Sequence, residues 1–131
     1  MKHDEIARVV VECAYELHRE LGPGLLESVY EVVLADALRS RGLLVERQRP
    51  ISIVFRGKRF DEGFRADLLV ENLVLIEVKS VESLARVHRK QVLTYLRLTN
   101  LQLGLLVNFG GELLKGNIER LVNGLEEPPV L

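Results

Sequence analysis

Two apolar runs around a short break constrain this chain more than any other feature. Phe64-Arg65-Ala66-Asp67-Leu68-Leu69-Val70 is followed by Glu71-Asn72 and then by Leu73-Val74-Leu75-Ile76-Glu77-Val78-Lys79. Both runs are rich in branched residues, which suits buried strands. Besides Arg65 near the start of the first run, three charged groups nevertheless sit inside them: Asp67, Glu77 and Lys79. A buried charge is costly unless it is paired or holds a metal. Glu77 and Lys79 are two apart, so on a strand they project from one face. Two carboxylates and an ammonium converging at a sheet edge make a divalent-metal site with a cationic assistant. That is the chemistry of metal-dependent phosphodiester cleavage.

Whether the three groups meet is a question of register. A two-residue loop at Glu71-Asn72 pairs Asp67 with Ile76 and puts Glu77 on the wrong face. A three-residue loop Glu71-Asn72-Leu73 pairs Val70 with Val74 and Asp67 with Glu77. Asn72 or its neighbour can supply the left-handed residue such a loop needs. The parity therefore predicts an odd-length loop, or a bulge that restores it.

At 131 residues and 47% hydrophobic, the chain suits one globular domain, 1–131. It divides into N-terminal helices (4–41), a sheet with its crossover helix (45–122) and a tail (123–131). Net charge is −1, so a basic surface, if present, is local. The single cysteine, Cys13, excludes an internal disulfide framework and suits a reducing compartment. It falls in a helical apolar stripe, where burial is the expectation. No apolar run has membrane-span length, and the N-terminus lacks a signal-peptide pattern, so the expectation is a cytoplasmic protein with no membrane partner.

Residues 4 to 21 read as a helix with Ile6, Val9, Val10, Cys13, Leu17 and Leu21 on one stripe. Gly22-Pro23-Gly24 stops it. A second helix is expected from about Leu25 to Arg41, with Leu26, Val29, Tyr30, Val33 and Ala37 buried and Gly42 as a cap. The two form an αα-hairpin. Glu27 near the second helix start reads, on its own, as an acid favoured by the helix dipole. From Val45 the period changes to two: Ile51, Ile53 and Phe55 alternate with Ser52, Val54 and Arg56. Arg56-Gly57-Lys58 is a turn, Phe60 to Val70 the second strand with Gly63 as a candidate bulge, and Val74 to Ser80 the third. Residues 83 to 99 form a helix with Val92, Leu93 and Leu96 inward and a polar stripe of His88, Gln91 and Tyr95. His88 alone reads as a surface histidine. Leu101 to Phe109 reads as a strand buried on both faces, reached by a right-handed parallel crossover. Ile118 to Val122 is a short last strand, and Glu126-Glu127-Pro128-Pro129 a frayed tail.

Several stretches together carry a family likeness. Gly24-Leu25-Leu26-Glu27-Ser28-Val29-Tyr30 resembles the motif that names the GxxExxY proteins, members of the PD-(D/E)xK nuclease superfamily. Arg65-Ala66-Asp67-Leu68-Leu69-Val70 resembles that family's strand with the first acid, and Glu77-Val78-Lys79 its E-x-K element. His88-Arg89-Lys90-Gln91-Val92-Leu93-Thr94-Tyr95 resembles its helix motif, and Leu106-Val107-Asn108-Phe109-Gly110 its last core strand. Ala66 stands where the superfamily's nominal proline would be. The resemblance implies an α/β fold: a three-layer α/β/α, restriction-endonuclease-like core with an N-terminal αα-hairpin and a mixed four- to five-stranded sheet. It implies that Asp67 and Glu77 bind Mg²⁺ or Mn²⁺, with the Val78 carbonyl as a further ligand. Lys79 would orient the attacking water and stabilise phosphate charge, and Glu27 would be an additional catalytic acid and metal ligand, which displaces the dipole reading. Gln91 and Tyr95 would line the site, and Tyr30 and His88, inside matched motifs, count as further substrate contacts.

Two functions compete at this level. One is a metal-dependent nuclease acting on DNA or RNA. Arg47, Arg49, Arg56, Lys58, Arg59, Arg65, Arg86, Arg89, Lys90 and Arg97 are candidates for a phosphate-binding surface, with ordinary solvated charge as the bland alternative. Few aromatic residues argue against a stacking platform for single strands. The other is a non-catalytic nucleic-acid- or protein-binding module on the same fold, since fold does not fix function. With no separate targeting domain, a bare domain of this size is expected to gain substrate reach as a homodimer or with a partner protein.

Overall fold

The computed structural model describes residues 2–125, the side chain of Glu62 excepted, so the expected frayed end lies outside the described residues. Element order is α1 (His3–Leu21), α2 (Glu27–Ser40), β1 (Val45–Phe55), β2 (Lys58–Val70), β3 (Val74–Lys79), α3 (Arg86–Thr99), β4 (Leu103–Asn108) and β5 (Ile118–Val122). The five strands form one mixed sheet in sequence order. β1, β2 and β3 are an antiparallel meander, β4 runs parallel to β3, and β5 is antiparallel to β4. Helix α3 makes the crossover between the parallel pair, as the sequence spacing predicts.

The layers follow from residue periodicity. In β2 and β3, Leu68, Val70, Val74, Ile76 and Val78 project to one side and pack under α1 and α2, with Ile6, Val10, Cys13, Leu34 and Leu38. Leu75 and Leu106 project to the other side and meet Val92 and Leu96 of α3. β3 and β4 are buried along nearly their whole length, because helices cover both faces. Gly104 in β4 lets α3 approach: a Cβ there would lie 2.8 Å from Val92 Cγ1.

The stripe of α2 differs from the expected one. Tyr30, Leu34, Ala35 and Leu38 are buried, whereas Leu26 and Val29 are exposed and Val33 and Ala37 only partly covered. The buried face is rotated because Tyr30 anchors the helix from its first turns. Its ring stacks on Phe109 at 4.6 Å, its hydroxyl donates to the Gly22 carbonyl at 2.5 Å, and that same oxygen accepts from the Leu25 amide at 3.2 Å. Tyr30 thus ties the α1–α2 turn shut.

The loop between β2 and β3 has the odd length that the register requires. Val70 pairs with Val74, the Leu73 amide donates to the Val70 carbonyl, and both Glu71 and Asn72 are left-handed. A register shift falls between Ile51 and Ile53, opposite the stretch containing Gly63, where a Cβ would strike the Ile51 carbonyl oxygen. Beyond it the alternation continues, but the core does not: Ile53, Phe55 and Phe60 are exposed.

Candidate active site

The β2–β3 ladder stops one pair short of the candidate acids. Pairing runs over Val70–Val74, Leu69–Leu75 and Leu68–Ile76. At the next level the strands exchange main-chain for side-chain partners. The Asp67 amide donates to Glu77 Oε1 at 3.2 Å, and the Val78 amide donates to Asp67 Oδ2 at 2.8 Å. Each acid therefore caps a backbone group that the ladder no longer satisfies. This holds both carboxyl groups in the opening with little rotational freedom.

The opening is electrostatically costly. Glu77 is buried, and its carboxyl is pushed up to about 8, chiefly by loss of hydration and then by the facing Asp67. Asp67 is pushed up to about 6, again mainly by burial, with the Val78 amide opposing. Lys79 draws both downward but does not cancel burial. It lies two residues after Glu77 on the strand and beside Asn108 of β4. Its carbonyl accepts from the Phe109 amide at 2.8 Å. Asn108, fully buried, grips the next segment by bonding both the amide and the carbonyl of Val81. The main chain on either side of Lys79 is thus fixed from β4.

Helix α3 closes one side. Tyr95 stacks on Phe64 of β2, centroids 3.5 Å apart, and its hydroxyl is raised by burial and then by the charges of Glu77 and Asp67. Gln91 is exposed one helical turn earlier. His88 has a different job: its Nδ1 accepts from the Ala85 amide at 2.9 Å and caps the first turn of α3.

Helix α2 contributes an acid that periodicity and motif reading missed. Glu31, buried, takes a two-nitrogen contact from Arg47 at 2.8 and 3.1 Å and accepts from Gln48 Nε2 at 2.5 Å. Gln48 Nε2 also reaches Asp67 Oδ1 at 3.3 Å, and Glu31 raises the Asp67 carboxyl. Gln48 has φ 53°, left-handed in the middle of a strand, a strained state for a residue with a side chain. Its neighbours Arg47 and Arg49 serve opposite layers, Arg47 against α2 and Arg49 toward the α3 side. The sequence signal was available in hindsight as an acid four residues after Glu27, hence on the same helix face. Glu27 itself is exposed; with Leu25, Leu26, Ser28 and Ser80 it lines a shallow groove beside the residue that follows Lys79. Ser80 Oγ donates to the Leu25 carbonyl at 2.8 Å, which fixes that groove's floor.

Asp67, Glu77, Lys79, Tyr95 and Glu31 are therefore gathered at one end of the sheet. Tyr30 is elsewhere, in the core. The family model of the PD-(D/E)XK nuclease superfamily matches residues 4–121. The chain belongs to that superfamily. No curated protein and no solved structure gives a match. The matched span covers every element from α1 to β5 except the first residue of α1 and the last of β5, so the PD-(D/E)XK assignment rests on the whole sheet rather than on one motif.

PD-(D/E)XK nucleases generally use divalent metals, and the residues here suit one. Among the described residues no group of three or more His, Cys, Asp and Glu side chains is placed to hold a metal ion, so Glu27 does not join Asp67 and Glu77 as a third acid ligand. The two facing carboxylates, Asp67 and Glu77, are the oxygen donors that would hold one. Mg²⁺ binds in that way, through one or two carboxylates, keeping several waters and taking substrate phosphates.

Among the described residues no helix is long and apolar enough to cross a membrane.

Proposed function

We propose that this chain is a metal-dependent nuclease that hydrolyses phosphodiester bonds of DNA or RNA. The observation that carries the reading is the buried, mutually repelling pair Asp67 and Glu77, held by each other's strand amides where the ladder opens. Such an arrangement lowers stability unless it is used, and perturbed acids beside a lysine in an opening are the physical mark of a working site. Asp67, Glu77 and the Val78 carbonyl would hold Mg²⁺ or Mn²⁺. A bound divalent ion supplies charge neutralisation at the phosphate and acidifies water.

The chain's own residues do the rest. Lys79 orients the attacking water and offsets the charge that develops on the phosphate oxygens. Tyr95, with its hydroxyl kept protonated, presents a donor toward the substrate, and Gln91 extends that face by one turn. Glu31 acts through Gln48 on the orientation of Asp67. Glu27, on the groove beside Ser80, supplies the additional acid at the mouth, matching the GxxExxY likeness of Gly24 to Tyr30. His88 supports this face indirectly, by starting α3 at the correct residue.

The test is calorimetric titration of wild type and Glu77→Gln with Mg²⁺ and Mn²⁺, with plasmid and RNA cleavage followed on the same samples. Metal binding and cleavage that both disappear in the variant establish the nuclease. A wild type that binds neither ion, with or without nucleic acid, turns the reading toward a binding module.

A further inference from the structure

β1 and β2 are longer than the sheet they belong to. β2 meets β3 only through Leu68 to Val70, whereas its pairing with β1 continues out to Lys58 opposite Phe55. Since β2 and β3 are antiparallel, the part of β2 before Asp67 runs on past the end of β3 that carries Glu77 and Lys79. A two-stranded ribbon therefore leaves the sheet at the active-site end. The nine residue steps from Asp67 back to Lys58 give it a reach of up to about 30 Å at ~3.3 Å per residue. Its tip, Arg56-Gly57, is a tight turn with both residues left-handed.

The ribbon's composition is unusual for an unsupported hairpin. Its outer end, residues 53–60, holds three cations and no acid, and Asp61 and Glu62 follow further in. Ile53 pairs with Phe60 and Phe55 with Lys58, so these four share one face. Phe55 is 60% exposed. The Arg56 guanidinium lies 5.1 Å over the Phe55 ring, and the Lys58 ammonium 5.9 Å from the Phe60 ring. Arg59, on the opposite face, is held by Asp61 and Ser52, whereas among the described residues Arg56 and Lys58 meet no carboxylate. Two of the chain's four phenylalanines thus stand in solvent with cations laid over them, although low aromatic content had argued against any stacking surface.

We propose that this ribbon is a docking arm for an unpaired nucleic-acid strand flanking the bond to be cut. Phe55 and Phe60 offer rings to successive base faces, which only an unpaired strand leaves open, and Arg56 and Lys58 take the phosphates between them. The proposal rests on the nuclease reading for its substrate. It adds the class: a strand with a single-stranded region extending from the site toward the tip. Complementary charge at the tip and two exposed rings favour this occupant over a second copy of the chain.

The test uses fluorescence anisotropy with a labelled 20-nucleotide oligo(dT) and its RNA counterpart in chelator, so that binding is read without cleavage. Phe55→Ala/Phe60→Ala is expected to weaken binding about tenfold or more. Arg56→Gln/Lys58→Gln should reduce the slope of log affinity against log salt by about 1.4, the value for two phosphates of a single strand. Matching thermal unfolding confirms that both variants fold, as exposed tip positions should. A blunt 20-base-pair duplex serves as the comparison and should lose little in the phenylalanine variant. The arm is overturned if both variants bind oligo(dT) as wild type does while metal-dependent cleavage persists, which leaves the nuclease reading intact. Equal losses on duplex and single strand overturn the unpaired-strand assignment. Loss of a wild-type dimer in the variants, seen by sedimentation, assigns the ribbon to a second copy instead. A wild type that neither binds nor cleaves any nucleic acid overturns both readings.

Discussion

Asp67 and Glu77 set the pH behaviour of the metal-free protein. Both carboxyls are raised above their ordinary range, so the folded state binds more protons than the unfolded chain between roughly pH 4 and 8. Stability must then fall as pH rises through that window, as each acid is forced to ionise in a poorly hydrated opening. In chelator, the melting temperature of wild type should decline from pH 5 to pH 8. Glu77→Gln should flatten that decline and melt higher than wild type at pH 8, while losing metal binding. A variant that keeps the wild-type slope would show that the pair does not carry the cost. Gln48 gives a second residue-level prediction. Gln48→Ala strands part of the hydrogen bonding of buried Glu31 and keeps the left-handed strain, which should cost about 1–2 kcal/mol. Gln48→Gly loses the same bond but relieves the strain, and should be more stable than the alanine variant by ~1 kcal/mol. In an ordinary strand the order is reversed. Chemical denaturation of the three proteins decides it.

At the level of elements, α3 is positioned by absence. It lies against β4 because Gly104 has no side chain to hold it off. Gly104→Ala places a methyl 2.8 Å from Val92 Cγ1 and 3.3 Å from Leu96 Cδ2. The helix must shift, at a cost of about 1–3 kcal/mol. Because Tyr95 rides on the same helix, cleavage should fall by more than the lost stability explains, with residual activity read under conditions where the variant is fully folded. An unchanged rate would mean that the Tyr95–Phe64 stack is set by β2 alone. Element type and order were readable from periodicity: the odd loop at Glu71 to Leu73 followed from parity, and the crossover helix from an apolar run after a strand ending in Lys79. The face of α2 was not readable. Its apolar residues nearly encircle the helix, and only the Tyr30 contacts with Phe109 and the α1–α2 turn choose which side is covered.

At the level of the whole molecule, Asp67, Glu77 and Lys79 could be picked out because charges inside apolar strands are expensive and need a reason. Glu31 and Gln48 could not. They meet through the approach of α2 to β1, seventeen residues apart, and neither violates any local rule except a backbone angle that sequence does not display. The ribbon was hidden for the opposite reason: its alternation is that of a covered strand, and only the short reach of β3 leaves it bare.

The opened ladder has a mechanical consequence. Three cross-strand pairs at the base join the β1–β2 hairpin to the remainder of the sheet, and above them, among the described residues, the crossed amide–carboxyl bonds span the gap. The molecule is built like a pair of tongs, with the base pairs as pivot and the two acids as facing jaws. An ion gripped by both jaws is a clasp. Adding Mg²⁺ should slow hydrogen exchange of the β1–β2 amides as a block while leaving those of β3 and β4, already sealed under helices, as they were. If exchange slows only at Asp67 and Val78, the jaws are rigid and the hairpin does not swing.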